Sequence, residues 1–260
     1  MAAEIARVIS EAAYQAYEKK LMREVLAGPV PKHLAIIMDG NRRFAEEVGL
    51  SFAGGHERGR EKLEEVLQWC VDLDIRILTV YAFSMENLNR DDGELDDLMS
   101  LFARNFRRAG DDKRVHENQI RIRVLGQTER LPPAVQEAIR YAEEKTADYD
   151  AYLFNLAVAY GGRQEILDAI RHLVEDAMEG NIALEDIDEG VFSKRLYTAD
   201  LPDPDLILRT SGEERVSNFL LWQLAYSELY FVDVFWPGFR KIDFLRAIRS
   251  FQMRRRRFGS

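Results

Sequence analysis

The sequence predicts an α/β fold. A single domain is expected, with a mostly parallel central sheet of about six strands flanked by helices. Two observations carry this. Strand-like runs alternate with helical periodicities of about 12 to 18 residues, the pattern of crossover connections. The runs are also near-continuously apolar, as strands covered on both faces must be.

The elements follow in order. Residues 1–30 read as an N-terminal amphipathic helix, with Glu4 too early for a signal peptide. LAIIM at 34–38 is a buried strand. Residues 56–73 space Leu63, Val66, Leu67 and Cys70 as one helix face. IRILTVYAF at 75–83 is β-rich. Residues 93–108 place Leu95, Leu98, Met99, Phe102 and Phe106 on one helical stripe. IRIRVL at 120–125 alternates like a strand. Pro132 and Pro133 open a helix that runs to about 147, since proline suits a first turn. FNLAVAY at 154–160, DLILR at 205–209 and YFVDVF at 230–235 complete the strands. Helices fill 163–178 and 241–257.

The 260 residues carry a net charge of −9. An acidic chain lacks the clustered cations that phosphate backbones demand, so no nucleic-acid partner is expected. One cysteine, Cys70, excludes an internal disulfide framework and any cysteine-rich zinc site. It fits a cytoplasmic protein. No apolar run reaches about 18 residues, so no membrane span is expected.

Ligands of parallel sheets bind beyond the carboxyl ends of the strands. Asp39, Gly40, Asn41, Arg42 and Arg43 follow the first strand. Ser84, Glu86, Asn87 and Arg90 follow the second. Gly161, Gly162 and Arg163 follow 154–160, and Arg209 to Arg215 follow the fifth. Four strand ends thus bring small polar residues and arginine toward one edge. Arginines and glycine-exposed N–H groups suit more than one phosphate. A single carboxylate among them suits a magnesium–diphosphate complex. A helix cap or a salt-bridge partner is the alternative for Asp39 alone. His33, His116 and His172 read as surface or loop residues, and Gly161–Gly162 as a phosphate loop or a turn. The acids of DDGELDD at 91–97 read as a helix N-terminus. RRRR at 254–257 reads as a solvated helix end or a membrane attractant.

MDGNRRFA (38–45), Gly55–His56, YAFSMENLNR (81–90) and the block 208–237 resemble the cis-prenyltransferases, the family of undecaprenyl and dehydrodolichyl diphosphate synthases. The resemblance covers residues 31–260. It implies condensation of isopentenyl diphosphate with an allylic diphosphate, with Mg2+ as cofactor, to give a Z-polyprenyl diphosphate. Asp39 matches the aspartate that positions the metal, and Glu228 a second metal-linked carboxylate. Gly40, Asn41, Arg42 and Arg43 match the diphosphate cradle, with Phe44 beside it. His56 matches a pocket histidine. Ser84 and Asn87 match the pair that assists proton removal, within a stretch that adds Met85, Glu86, Leu88 and Arg90. Arg209, Arg215, Val216 and Ser217 match the isopentenyl diphosphate site. Arg257 and Gly259 match a C-terminal R-x-G that reaches the partner subunit, which implies a homodimer. An apolar tunnel must hold the growing chain, and the 93–108 stripe is a candidate wall, with an ordinary core stripe as the alternative. An apolar product of this kind implies contact with a membrane surface as an expectation.

Three positions depart from the common pattern. Arg42 stands where many bacterial members have glycine, and Leu88 where tryptophan is common. Phe52 replaces an arginine four residues before the histidine. A lost charge there points to transfer onto a less charged acceptor, such as a prenylated glycerol, as the alternative to elongation. A non-catalytic subunit of a prenyltransferase complex is a further alternative.

Overall fold

A computed structural model describes the backbone of residues 2–89 and 92–258, and the side chains of residues 14–88 and 93–254. Six strands form one sheet: β1 His33–Ile37, β2 Ile77–Ser84, β3 Ile120–Leu125, β4 Tyr152–Tyr160, β5 Leu206–Arg209 and β6 Glu228–Phe231. All pair in parallel, in the order β3-β4-β2-β1-β5-β6. The helices are α1 Ala2–Leu26, α2 Asn41–Val48, α3 Phe52–Asp72, α4 Asp92–Asp111, α5 Lys113–Glu117, α6 Pro133–Lys145, α7 Gly162–Met178, α8 Glu189–Ser193 and α9 Lys241–Phe258.

Strand side chains alternate between faces. In β1, Leu34 and Ile36 enter a large core with α3, α4, α6 and α9. Ala35 and Ile37 enter a smaller one on the other face with Tyr160, Phe219 and Leu220. Truncating Leu34 or Ile36, both fully buried, to Ala would cost about 2–5 kcal/mol. α1 docks on α9, burying Leu21 and Val25. Gln252 of α9 donates to the Val25 carbonyl at 2.8 Å.

The expected strands are present with shifted ends. β6 begins at Glu228, and the stretch past Phe231 leaves the ladder. There Val232 and Val234 offer carbonyls to the N–H groups of Gly212 and Ser211, at 2.9 and 2.8 Å. α2 is a short separate helix that the sequence reading merged with the loop. Gly40 precedes it at φ 102, and a Cβ there would meet the Phe235 ring at 2.7 Å. Only glycine tolerates both conditions.

His33 is not a surface residue. It is 1% exposed in β1, where its ring meets the Pro202 carbonyl at 2.7 Å and the Thr79 hydroxyl at 2.8 Å. Burial drives its pKa down to about 4. Gly161 and Gly162 form a buried turn. A Cβ at either would strike Asn218 or Leu221, which is a packing reason for glycine. Arg163 stays exposed and does not join the other strand ends.

Candidate active site

The register fixes which strand ends meet. Ile37 pairs with Arg209 on one side and Tyr81 on the other. The residues after β1, β2 and β5 therefore share one edge, where the central strand has neighbours on both sides. They line a polar cleft that includes Asp39, Arg42, Arg43, Ser84, Asn87, Arg209 and Arg215.

Asp39 is held firmly. Its backbone N–H donates to the Thr210 hydroxyl at 2.9 Å, and that hydroxyl donates back to the Asp39 carbonyl at 2.7 Å. Trp236 N–H also donates to the Asp39 carbonyl, at 3.0 Å. The carboxylate sits between two guanidinium groups. Arg209 Nη2 reaches Oδ2 at 2.7 Å, and Arg43 Nη2 reaches Oδ1 at 3.1 Å. Burial pushes the carboxyl pKa up, but hydrogen bonds from Arg209 and Ser211 and both guanidinium charges outweigh it. The pKa lies below the usual value.

The arginines are positioned in turn. Arg209 is almost wholly buried, and its Nη1 donates to Ser217 Oγ at 2.7 Å and to the Arg215 carbonyl. Arg43 donates to Ser211 Oγ at 2.8 Å and to Glu213 at 3.0 Å. Glu213 also takes Arg215. Ser211, Ser217 and Asn218 all adopt positive φ. Non-glycine residues there carry strain, which gathers at functional loops. Two buried polar atoms in this region have no partner: Arg209 Nε and Asn41 Oδ1. Buried polar groups are normally satisfied. Arg209 Nε is a spare donor at the base of a basic cleft, the polarity an anionic ligand calls for, whereas Asn41 Oδ1 is an acceptor and offers an anion nothing.

On the β2 side, the Asn87 side-chain oxygen accepts from Ser84 N–H at 3.0 Å. Glu86 takes hydrogen bonds from Ser84 and from Asn218, the latter at 3.1 Å. Burial raises the Glu86 pKa, and these bonds outweigh it, so the carboxylate is the favoured form. Asn218 accepts in turn from Arg163 N–H at 2.9 Å. It thereby ties the Ser84–Glu86 turn to the α7 N-terminus. Sequence reasoning placed Thr210, Ser211 and Glu213 at the strand edge without giving them a role, and it missed Asn218. Only its place in the 208–237 block marked Asn218.

A second cavity opens from the cleft. Met38, Asn41, His56 and Ala82 line both. It lies between the sheet and helices α3 and α4. Its walls are apolar, with Leu63, Leu67, Leu98, Leu101, Phe102 and Phe106 among them. The expected tunnel exists, and the 93–108 stripe is divided. Leu98, Phe102 and Phe106 face the cavity, while Met99 and Leu95 pack into the core.

A sequence model described as "Putative undecaprenyl diphosphate synthase" matches residues 37–259. The chain belongs to this family. It is 53% identical over 255 residues to the tritrans,polycis-undecaprenyl-diphosphate synthase (geranylgeranyl-diphosphate specific) of Pyrococcus abyssi, covering 98% of this chain and 97% of that one. It is 54% identical over 253 residues to the enzyme of the same description from Methanopyrus kandleri, covering 97% and 93%. Lavandulyl diphosphate synthase from Lavandula x intermedia, solved with dimethylallyl diphosphate, matches with a TM-score of 0.82 at 37% identity. That match covers 86% of this chain and 95% of the other. A probable undecaprenyl diphosphate synthase from Campylobacter jejuni matches at 0.72 and 35% identity, covering 89% and 100%. The chain is thus an enzyme of cis-prenyl transfer, and the reading as a non-catalytic subunit falls away.

Within this family member, the structure distributes the expected site residues unevenly. Asp39, Gly40, Asn41, Arg42, Arg43, His56, Ser84, Glu86, Asn87, Arg209, Arg215 and Ser217 gather in the cleft. Phe52 opens α3, with its ring centroid 4.5 Å from that of His56. Phe44, Met85, Leu88 and Val216 are half-buried beside the cleft without lining it. Glu228 is not brought to Asp39 within the chain. It opens β6 level with Leu206, toward the opposite end of the sheet from Asp39, and binds Arg254 at 2.8 Å. Parallel pairing dictates this, since Asp39 follows its strand and Glu228 begins one. Among the described residues, no group of three or more His, Cys, Asp or Glu gathers as a metal site. Arg90 and Gly259, and the side chain of Arg257, lie outside the described residues. No helix of the described residues is long and apolar enough to cross a membrane.

Proposed function

We propose that this enzyme extends geranylgeranyl diphosphate with isopentenyl diphosphate units to a Z-polyprenyl diphosphate of about undecaprenyl size, as the names of its relatives describe for them. The observation that carries the reading is the junction of the two cavities. Asp39, clasped by Arg43 and Arg209, lines the basic cleft between Met38 and Asn41 in sequence order, both of which line the two cavities. An allylic diphosphate has these two parts, a charged head and an apolar tail.

The roles follow from the chemistry. Breaking the allylic C–O bond leaves negative charge on the departing diphosphate. Arg43, with its exposed neighbour Arg42, takes that charge, and a preorganised guanidinium does so without rearrangement. Arg209, Arg215 and Ser217 hold the isopentenyl diphosphate with its alkene toward the forming cation. The new bond leaves a proton to be lost, and Ser84, poised between Asn87 and Glu86, assists its departure. Asn41 and His56 stand at the neck that the first isoprene units cross.

The donor set fits Mg2+ held chiefly by substrate. One carboxylate, Asp39, retains acceptor capacity beside its two arginines, and magnesium commonly takes one or two carboxylates plus phosphates. Bound there, the ion would neutralise the leaving diphosphate. Glu228 serves no such site within one chain. A homodimer, cytoplasmic residence and product release at a membrane surface belong to this reading through the family resemblance.

Elongation is favoured over transfer to a prenylated glycerol, because the relatives at 53–54% identity are described as undecaprenyl-diphosphate synthases specific for geranylgeranyl diphosphate. The test is product analysis with labelled isopentenyl diphosphate, magnesium and allylic diphosphates of graded length, with and without prenylglycerols. A ladder that starts best from the geranylgeranyl compound supports the proposal. Product formed only with a prenylglycerol would replace it.

A further inference from the structure

The apolar cavity has one weak wall. α3 and α4 stand apart, with the cavity between them. Beyond the neck, the cavity runs past Phe102 and Phe106 to Val115 and to Ile120, where β3 begins. That is the end of the sheet opposite the cleft. On its outer side the lining turns charged, with Arg60 and Glu64 on α3, Arg108 on α4, and Asp112 and Arg114 at α5.

These five groups form one network with Glu64 at its centre. Glu64 takes Arg60 from its own helix. It takes Arg114 Nη2 at 2.8 Å and Arg108 Nη2 at 3.6 Å from the opposite bank. Asp112 fixes Arg114 from below, accepting from Nη2 at 2.6 Å and from Nε at 3.1 Å. One carboxylate therefore bridges the gap between α3 and the α4–α5 segment.

We infer that Glu64, with Arg108 and Arg114, is an ionic latch that closes the outer wall of the tunnel and limits the length of the product. This rests on the elongation reading above. Each added isoprene unit pushes the apolar tail further from the neck toward this wall. Charged side chains held to one another offer the tail no favourable contact, and an alkyl chain cannot replace their hydrogen bonds. Growth stops when the next unit would have to part the bridge. Glu64 is 25% exposed and Arg114 47% exposed, and partly exposed ion pairs hold only weakly. The bridge therefore sets a limit that a single substitution moves. The bland alternative is an ion network that merely steadies α3, and it predicts a lower melting temperature with unchanged products.

The test uses the full-length enzyme with geranylgeranyl diphosphate, labelled isopentenyl diphosphate and magnesium. Products are separated by length at matched total conversion. Glu64→Gln keeps the shape of the side chain and removes its charge. Arg108→Gln and Arg114→Gln open the same bridge from the other bank and keep the test intact if the α3 variant does not fold. The expected result is a shift of the major product to longer chains, so that the wild-type length no longer dominates. Folded variants with an unchanged length distribution would overturn the latch while leaving elongation standing. A wild-type enzyme that makes no ladder would overturn elongation and the latch together.

Discussion

Arg209 Nη2 lies 2.7 Å from Asp39 Oδ2, from a side chain only 4% exposed. Its Nη1 reaches Ser217 at 2.7 Å. One guanidinium thus joins the ends of β1 and β5 with the serine of the strained loop. A lysine carries the same charge but cannot span both partners, because an ammonium is a point donor rather than a fork. Arg209→Lys should therefore lower kcat/KM by about 100-fold or more, as loss of a preorganised charge donor does. Steady-state kinetics with both substrates varied would check this, and near-wild-type values would contradict it.

Asp39 supplies a pH prediction. Its folded pKa is depressed, so the paired carboxylate stabilises the fold above the ordinary aspartate value, near about 3.9. That contribution is lost as pH falls through the lowered folded value. A carbon-13 titration of the Asp39 carboxyl should show it still ionised where an exposed aspartate is half-protonated. Arg43→Gln removes one of its two cationic partners and should move the midpoint upward. A midpoint at or above the ordinary value in the wild type would refute the clasp.

His33 makes the opposite kind of demand. The Pro202 carbonyl can only accept, so Nδ1 donates to it. Nε2 then accepts from Thr79, whose oxygen accepts from Asn155 at 3.0 Å. A protonated ring breaks this chain. The pKa falls from 6.5 to about 4 on folding, so the neutral ring stabilises the fold above pH 6.5. That stability drains away as pH falls toward 4. The loss is about 3 kcal/mol over the interval. Urea denaturation from pH 7 to 4.5 should show this slope, and His33→Gln should flatten it. An equal slope in both proteins would contradict the assignment.

The reasons that some of this was legible in the sequence, and some was not, are physical. Strands buried on both faces must be apolar throughout, which made β1 and β5 visible, while the edge strand β3 showed itself by alternation of apolar residues and arginine. Residues just after parallel strands must sit at the carboxyl edge, so Asp39, Ser84 and Arg209 could be placed together. Position relative to a strand is also what misled. Gly161, Gly162 and Arg163 follow β4, yet packing against Asn218 and Leu221 decides their role. Glu228 was placed with the metal through the resemblance alone, and it begins its strand level with Leu206, toward the opposite end of the sheet from Asp39. His33 read as polar because a single sequence does not reveal partners 46 and 169 residues away. The Glu64 bridge joins three elements across a cavity, and no spacing within one helix encodes that.

The tunnel itself can be narrowed. Ala109 lines its far part near Phe106. Ala109→Phe should shift the products to shorter chains, at an overpacking cost of about 1–3 kcal/mol in stability. Product separation and a melting curve on the same preparation check both halves. Unchanged lengths in a folded variant would show that the chain runs elsewhere.

The most direct measurement compares the wild type with Asp39→Asn, given geranylgeranyl diphosphate, labelled isopentenyl diphosphate and magnesium. The substitution keeps the size of the side chain and removes the charge between Arg43 and Arg209. The account predicts a ladder of Z-polyprenyl diphosphates from the wild type and near-complete loss of it from the variant, with the fold retained by circular dichroism. An undiminished ladder from a folded Asp39→Asn enzyme would contradict the claim that chemistry occurs at this carboxylate.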